Sequence, residues 1–229
     1  MKNRSLSYMF FVFISFVFFL ACSNENDEQF PEAIEYESVF IGNQEWMLEN
    51  LDVETYRNGD TIPRLQEGQN WSELTTGAWT LVTYDGFDGL GYGKLYNWYA
   101  VNDPRGLAPE GWSIPTMEDW IELSDFLGGE TVAGGKLKST GTIEAGDGLW
   151  NQPNSGATNE SGFTALPAPL WYKFVIPPGA YAKWWSSNEF DSEFGSNVWV
   201  SAGGEFFANG TFRKYSGLSV RCIRETNIE

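Results

Sequence analysis

The chain has 229 residues, 14 Lys and Arg against 31 Asp and Glu, no histidine, and a formal charge of -17. That length fits one ordinary domain, and a hydrophobic share of 42% supports a packed core and excludes wholesale disorder. The lack of histidine excludes Ser-His-Asp and Cys-His catalysis and His-ligated zinc or haem, two cysteines cannot build a disulfide framework, and the acidic balance leaves no footprint for nucleic-acid phosphates.

The first 22 residues read as the signal of an exported, lipid-anchored protein. Lys2 and Arg4 form a positive n-region, and Tyr8 to Leu20 form an apolar run. As a helix that run spans roughly 20 Å, short of the roughly 30 Å hydrocarbon core of a bilayer, so it reads as a secretory h-region. Phe19-Leu20-Ala21-Cys22 resembles the lipobox of bacterial lipoproteins. This makes Cys22 the lipidation residue and residues 1–21 the segment removed. Ser23 stands where the usual inner-membrane retention signal has Asp. The acidic stretch 22–35 reads as a solvated tether. The expected address is the outer membrane, on its cell-surface face, with the lipid as the membrane contact.

Residues 36–229 read as one domain without internal repeats. Val39-Phe40-Ile41 and Glu45-Trp46-Met47 flank Gly42-Asn43, a two-residue hairpin signal in which Gly42 supplies a positive φ. Asp85-Gly86-Phe87-Asp88-Gly89 mimics a calcium loop but lacks the third acidic position and the bidentate Glu, so it reads as a turn. Lys94 to Val101 is ambiguous between strand and helix. A helix is predicted over Met117 to Leu127, with Thr116 as N-cap, Asp119 as its capping-box partner and Gly128 as the stop. From Thr131 to Ser187, abundant Gly, Pro, Asn and Ser predict long ordered loops carrying short strands. Asn209-Gly210, flanked by Glu205-Phe206-Phe207 and Thr211-Phe212-Arg213, reads as a second hairpin turn. With Asn197 to Val200 and Leu218 to Ile223, it predicts an antiparallel C-terminal meander. Cys222 alternates with Leu218 and Val220 and reads as a buried structural thiol. The fold class expected is α+β.

Several stretches together resemble the Fibrobacter succinogenes major paralogous domain (FISUMP) family. They are Gln44-Glu45-Trp46-Met47-Leu48-Glu49-Asn50-Leu51, Tyr92-Gly93-Lys94-Leu95-Tyr96-Asn97-Trp98, the run Gly111-Trp112-Ser113-Ile114-Pro115-Thr116 with Trp120, Asn154 to Phe163, Trp184-Trp185-Ser186-Ser187 and Ser219-Val220-Arg221-Cys222-Ile223-Arg224. The helix start and the Arg-Cys ending also look like those of formylglycine-generating, sulfatase-modifying domains. That resemblance implies a C-type-lectin-like fold, with antiparallel sheets, flanking helices and a long loop region. It does not carry their activity across: they work through paired cysteines, and here Cys22 is consumed by lipid, leaving Cys222 alone.

Trp150-Asn151-Gln152-Pro153-Asn154 resembles the loops with which C-type lectins hold Ca²⁺ and sugar, and Asp147, Asn159 and Glu160 lie nearby in sequence. The alternative is a plain turn pinned by side-chain-to-backbone bonds, and no resident cofactor is expected. Glu189, Asp191 and Glu193 form a close acidic group, but nothing singles out one of them as a raised-pKa acid. Trp150, Trp171 and Tyr172, in the loop-rich middle, are candidates for stacking on a sugar face or on a protein partner, with Asn154 and Asn159 as candidate polar contacts. The expectation is a non-enzymatic surface module for a glycan or other extracellular polymer. The alternative is a structural protein docking to another envelope protein.

Overall fold

The computed structural model describes residues 35–65, 69–82 and 91–225. The signal segment, Cys22, nearly all of the tether and Asp85 to Gly89 lie outside the described residues. β1 (Ser38–Ile41) and β2 (Gln44–Met47) form the expected hairpin, with Gly42 at φ 66°. A 3-10 turn (Trp71–Glu73), β3 (Trp79–Thr80) and β4 (Leu95–Tyr96) follow. The ambiguous run after Lys94 contains both structures. Asn97 ends β4 and caps α1 (Trp98–Val101), its side chain accepting from the Ala100 N–H at 3.0 Å.

α2 (Met117–Phe126) is the predicted helix. Thr116 Oγ1 accepts from the Asp119 N–H at 3.2 Å, and Asp119 Oδ2 accepts from the Thr116 N–H at 2.6 Å. Such a reciprocal box contributes about 1 kcal/mol. Trp120 and Leu123 are buried under the helix, whereas Ile121 and Phe126 face solvent.

The loop-rich middle carries a short helix that the sequence did not announce, α3 (Ala133–Leu137), and a hairpin of β5 (Leu170–Tyr172) and β6 (Phe174–Ile176). β7 (Tyr181–Glu189), β8 (Phe194–Ser201) and β9 (Ala208–Arg213) form an antiparallel sheet in that order. The turn expected at Asn209-Gly210 is corrected: both residues lie inside β9, opposite Val198 and Asn197. The reversal falls between Ser201 and Ala208, because that stretch is drawn onto α3 and the residues before it. The Phe207 N–H donates to the Glu130 carbonyl, the Glu205 carbonyl accepts from Gly135, and the Phe207 ring is buried. Tertiary docking overrides the local turn signal.

The segment expected as a regular strand from Leu218 is instead an extended strip that changes partner along its length. Gly217 pairs with Trp171, Leu218 with Tyr96 and Ser219 with Trp184. The Val220 carbonyl accepts from Leu51 and the Cys222 carbonyl from Met47. β10 (Ile223–Glu225) then completes the sheet order β1-β2-β10. This strip touches each of the small sheets among the described residues and ties them into one α+β structure.

Two hydrophobic cores flank it. One gathers Trp46, Trp120, Phe163, Trp184 and Phe207, and the other Tyr96, Trp98, Trp185, Leu218 and Cys222. Trp184 and Trp185 are neighbours on β7, so the strand's period of two sends them to opposite faces, one into each core. Arg221, 1% exposed, bridges both: it donates to the Met47, Leu48 and Phe163 carbonyls and to Asn50 Oδ1. Cys222 is a free, fully buried thiol, and burial pushes its pKa up to about 12.

Candidate functional site

The structure separates the residues that the sequence nominated. Trp150 is fully buried, and its ring N–H donates to Ser139 Oγ and the Ala165 carbonyl, both at 3.1 Å. The expectation of a stacking ring at Trp150 is therefore corrected: it is a core residue. Asn154 follows a cis Gln152–Pro153 bond and holds φ 45°. Its Nδ2 donates to the Ser139 and Gly141 carbonyls. Asn159, at φ 52°, accepts from the Thr164 N–H at 2.8 Å. Asn159 pins its loop through both amide atoms, whereas Asn154 pins its loop through Nδ2 and keeps a buried Oδ1 without a partner among the described residues.

Asp147 Oδ1 accepts from the Thr142 N–H at 2.8 Å, and Glu160 lies 3.5 Å from Lys136 Nζ. Among the described residues no group of three or more His, Cys, Asp or Glu side chains is placed to hold a metal ion. The acidic group on the β7–β8 turn is also engaged locally. Glu189 pairs with Lys214, Glu193 pairs with Arg213, and Asp191 Oδ1 accepts from the Glu193 and Phe194 N–H groups.

Trp171 and Tyr172 are half-buried on β5 and, being adjacent, point to opposite sides. Trp171 stacks on Trp71, with ring centroids 5.1 Å apart and planes 20° apart. Tyr172 lies edge-on to Phe212 of β9 at 5.4 Å. That contact leads to a surface the sequence did not single out.

The sheet β7-β8-β9 has one face in the first core, where Ala182, Trp184, Val198 and Val200 point. Its other face carries Tyr181, Lys183 and Trp185 from β7, Asn197 and Trp199 from β8, and Ala208, Gly210 and Phe212 from β9. Trp185 is sealed in the second core, whereas Lys183, Trp199, Gly210 and Phe212 are only half-buried. Tyr181 is 39% exposed and Phe206 42%. Phe206 and Tyr181 both meet Trp199 edge-on, at 5.3 and 5.9 Å. Lys183 Nζ sits among these rings, 4.5 Å from the Trp199 centroid, 5.3 Å from Tyr181 and 5.4 Å from Phe212.

Asn197 lies where the sealed and open halves of this face meet. It is 1% exposed, and neither Oδ1 nor Nδ2 has a hydrogen-bond partner among the described residues. Leaving such an amide unsatisfied costs about 1–3 kcal/mol per group. Its cross-strand neighbour is Gly210, which contributes no side chain. A Cβ built there would meet only Asn197 Nδ2 and Trp199 Nε1, each at 3.9 Å. The face therefore combines a position without a side chain at Gly210, an aromatic wall, a buried amide whose donor and acceptor are unpartnered, and an ammonium group. Such a combination suits a ligand with alternating apolar and hydroxylated faces.

Two adjoining hollows of about 300 and 200 Å³ lie elsewhere and share Glu37, Glu49 and Asn50. Their polar wall groups Asn50 and Arg221 already serve one another, and Asn50 also accepts from the Trp184 N–H. They are a weaker candidate for that reason.

The sequence did carry a signal for the sheet face. The alternation Tyr181-Ala182-Lys183-Trp184-Trp185 against Asn197-Val198-Trp199-Val200 separates a wholly apolar face from one that also carries Lys and Asn. Comparison with known proteins gives a match to the family model for the Fibrobacter succinogenes major domain over residues 39–224. No curated protein and no solved structure matches the chain.

Proposed function

We propose that this chain, which belongs to the Fibrobacter succinogenes major domain family, is a non-enzymatic binding module for a glycan. It is exported, acylated at Cys22 and held at the outer membrane facing outward. The fold within the α+β class is C-type-lectin-like: a sheet joining the first hairpin to the last strand, a capped helix, a loop-rich middle and a C-terminal sheet. The observation that carries the binding role is Asn197, buried with both amide atoms unpartnered beneath Gly210, which has no side chain, and beside the half-buried Trp199 ring. A sugar lays its C–H face on the indole, and its hydroxyls reach the amide only as the side chains over Asn197 turn aside.

Gly210→Thr tests this cleanly. Gly210 is not at positive φ, and a Cβ there has room. Replacing a strand glycine by a β-branched residue stabilises by about 0.5–1 kcal/mol while placing a side chain over Asn197. A glycan array followed by titration calorimetry on the full chain in detergent micelles should show binding that Gly210→Thr abolishes and that Phe206→Ala weakens severalfold, with the melting temperature of Gly210→Thr unchanged or higher. If Gly210→Thr binds every glycan as the parent does, the site assignment is wrong. If no glycan binds and a fixed envelope protein co-purifies through this face, the protein is an assembly component instead.

A further inference from the structure

Lys183 is treated unlike the other well-covered lysines of this protein. Lys94 is given Asp52 at 2.6 Å, Lys214 is given Glu189, and Lys138 donates to three backbone carbonyls. Lys183 has three aromatic rings and, among the described residues, neither an ion pair nor a hydrogen-bond acceptor. In a chain with 31 acidic residues, carboxylates are plentiful, yet none of the described ones faces this ammonium. A half-buried cation is costly without a counter-charge, and cation–π contact offsets only about 0.5–2 kcal/mol of that.

The elements around it sharpen the point. Tyr181 and Trp199 flank it from β7 and β8, Phe212 from β9, and Asn197 lies two rungs along, on the same face. From the β5–β6 hairpin, Tyr172 packs on Phe212 and carries Lys173 Nζ 5.6 Å from its own ring. The titratable groups named here are thus two lysines and two tyrosines, with no carboxylate. The -17 formal charge does not cancel this local field, because exposed charges beyond about 8 Å are largely screened at physiological salt.

We propose that this face takes a saccharide bearing a carboxylate, a uronic-acid unit of an anionic polysaccharide, with Lys183 as its counter-charge. The proposal rests on the glycan-binding reading above. The sugar's C–H face lies on Trp199, and its carboxylate meets the Lys183 ammonium, supplying the counter-charge that the fold withholds. Burial lowers the Lys183 pKa from 10.5 to about 8, so the cation is lost just above neutral pH. Affinity should therefore fall as pH rises through about 8. Fold stability should move the other way: the unfolded chain holds more protons between about 8 and 10.5, and the penalty for burying the charge is relieved there.

The test uses the full chain in detergent micelles titrated with oligogalacturonate, a neutral oligosaccharide of the same length, and dextran sulfate. The expected result is oligogalacturonate bound at least tenfold more tightly than the neutral sugar, with that advantage lost in Lys183→Met, kept in Lys183→Arg, and declining from pH 7 to pH 9. Equal binding of the uronate by Lys183→Met and the parent overturns the proposal. So does a neutral sugar bound as tightly as the uronate, or dextran sulfate bound best and unaffected by Lys183→Met. If only neutral sugars bind and Gly210→Thr blocks them, the glycan reading stands and this inference fails. If Gly210→Thr changes nothing for any sugar, the failure lies in the glycan reading itself.

Discussion

Lys138 and Lys183 show how two lysines in the same chain acquire opposite surroundings: carbonyl acceptors for one and aromatic rings for the other. Lys138 is fully buried, and its Nζ donates to the carbonyls of Ser155, Ser201 and Gly204 at 2.8 to 2.9 Å. All three ammonium protons are matched, so it acts as an internal clamp between the Ser155 loop and the end of β8. Lys138→Met keeps the volume and removes the donors, leaving buried carbonyls unpaired. Urea denaturation should show a loss of roughly 3–5 kcal/mol. Nothing local in the sequence distinguishes Lys138 from the partly exposed Lys136 two positions earlier, because the acceptors come from residues far along the chain. Trp150 was illegible for the same reason: its ring N–H partners, Ser139 and Ala165, lie outside any window that a strand or helix period can read. Cys222 was legible, because alternation with Leu218 and Val220 already placed it among buried neighbours.

At the scale of elements, legibility follows whether a signal is local. The first hairpin and α2 carry their own terminators, Gly42 and the Thr116–Asp119 box, and both form as read. Asn209-Gly210 carries an equally good local signal and loses, because the residues before it are held by α3. Two glycines make that docking possible. A Cβ on Gly134 would fall 2.3 Å from the Phe206 carbonyl oxygen, and one on Gly135 would fall 2.5 Å from the Gly156 oxygen. Both obstacles are backbone, so neither can swing aside. Gly134→Ala should therefore cost about 2–3 kcal/mol by overpacking, although alanine is the better helix former. Thermal unfolding should report that loss. Because the displaced stretch includes Phe206, the sugar binding proposed above should weaken in the same variant. The face proposed for binding was half legible: period two identifies which side chains share it, but the sequence could not say which side the second core would cover.

For the whole molecule, the strip that begins at Gly217 carries the architecture, since it hydrogen-bonds in turn to β5, β4, β7 and β2. It also brings Arg221 and Cys222 to the junction of the two cores. A chain ending at Ser216 should lack a cooperative unfolding transition and a near-ultraviolet circular dichroism signal, and a synthetic peptide of residues 217–225 added in excess should restore part of both. A retained sharp transition without the peptide would show that the sheets hold together without this strip. The same arrangement has a consequence for how the protein is made. A ribosome working at roughly 5–20 residues per second spends roughly 10–35 s between Ser38 and Ser216, and throughout that time the nascent chain lacks the strip that pairs with β5, β4, β7 and β2. On the export reading, the delay is useful: the segment that completes the fold emerges after most of the chain has been delivered, so the last contacts between the sheets close on the far side of the membrane.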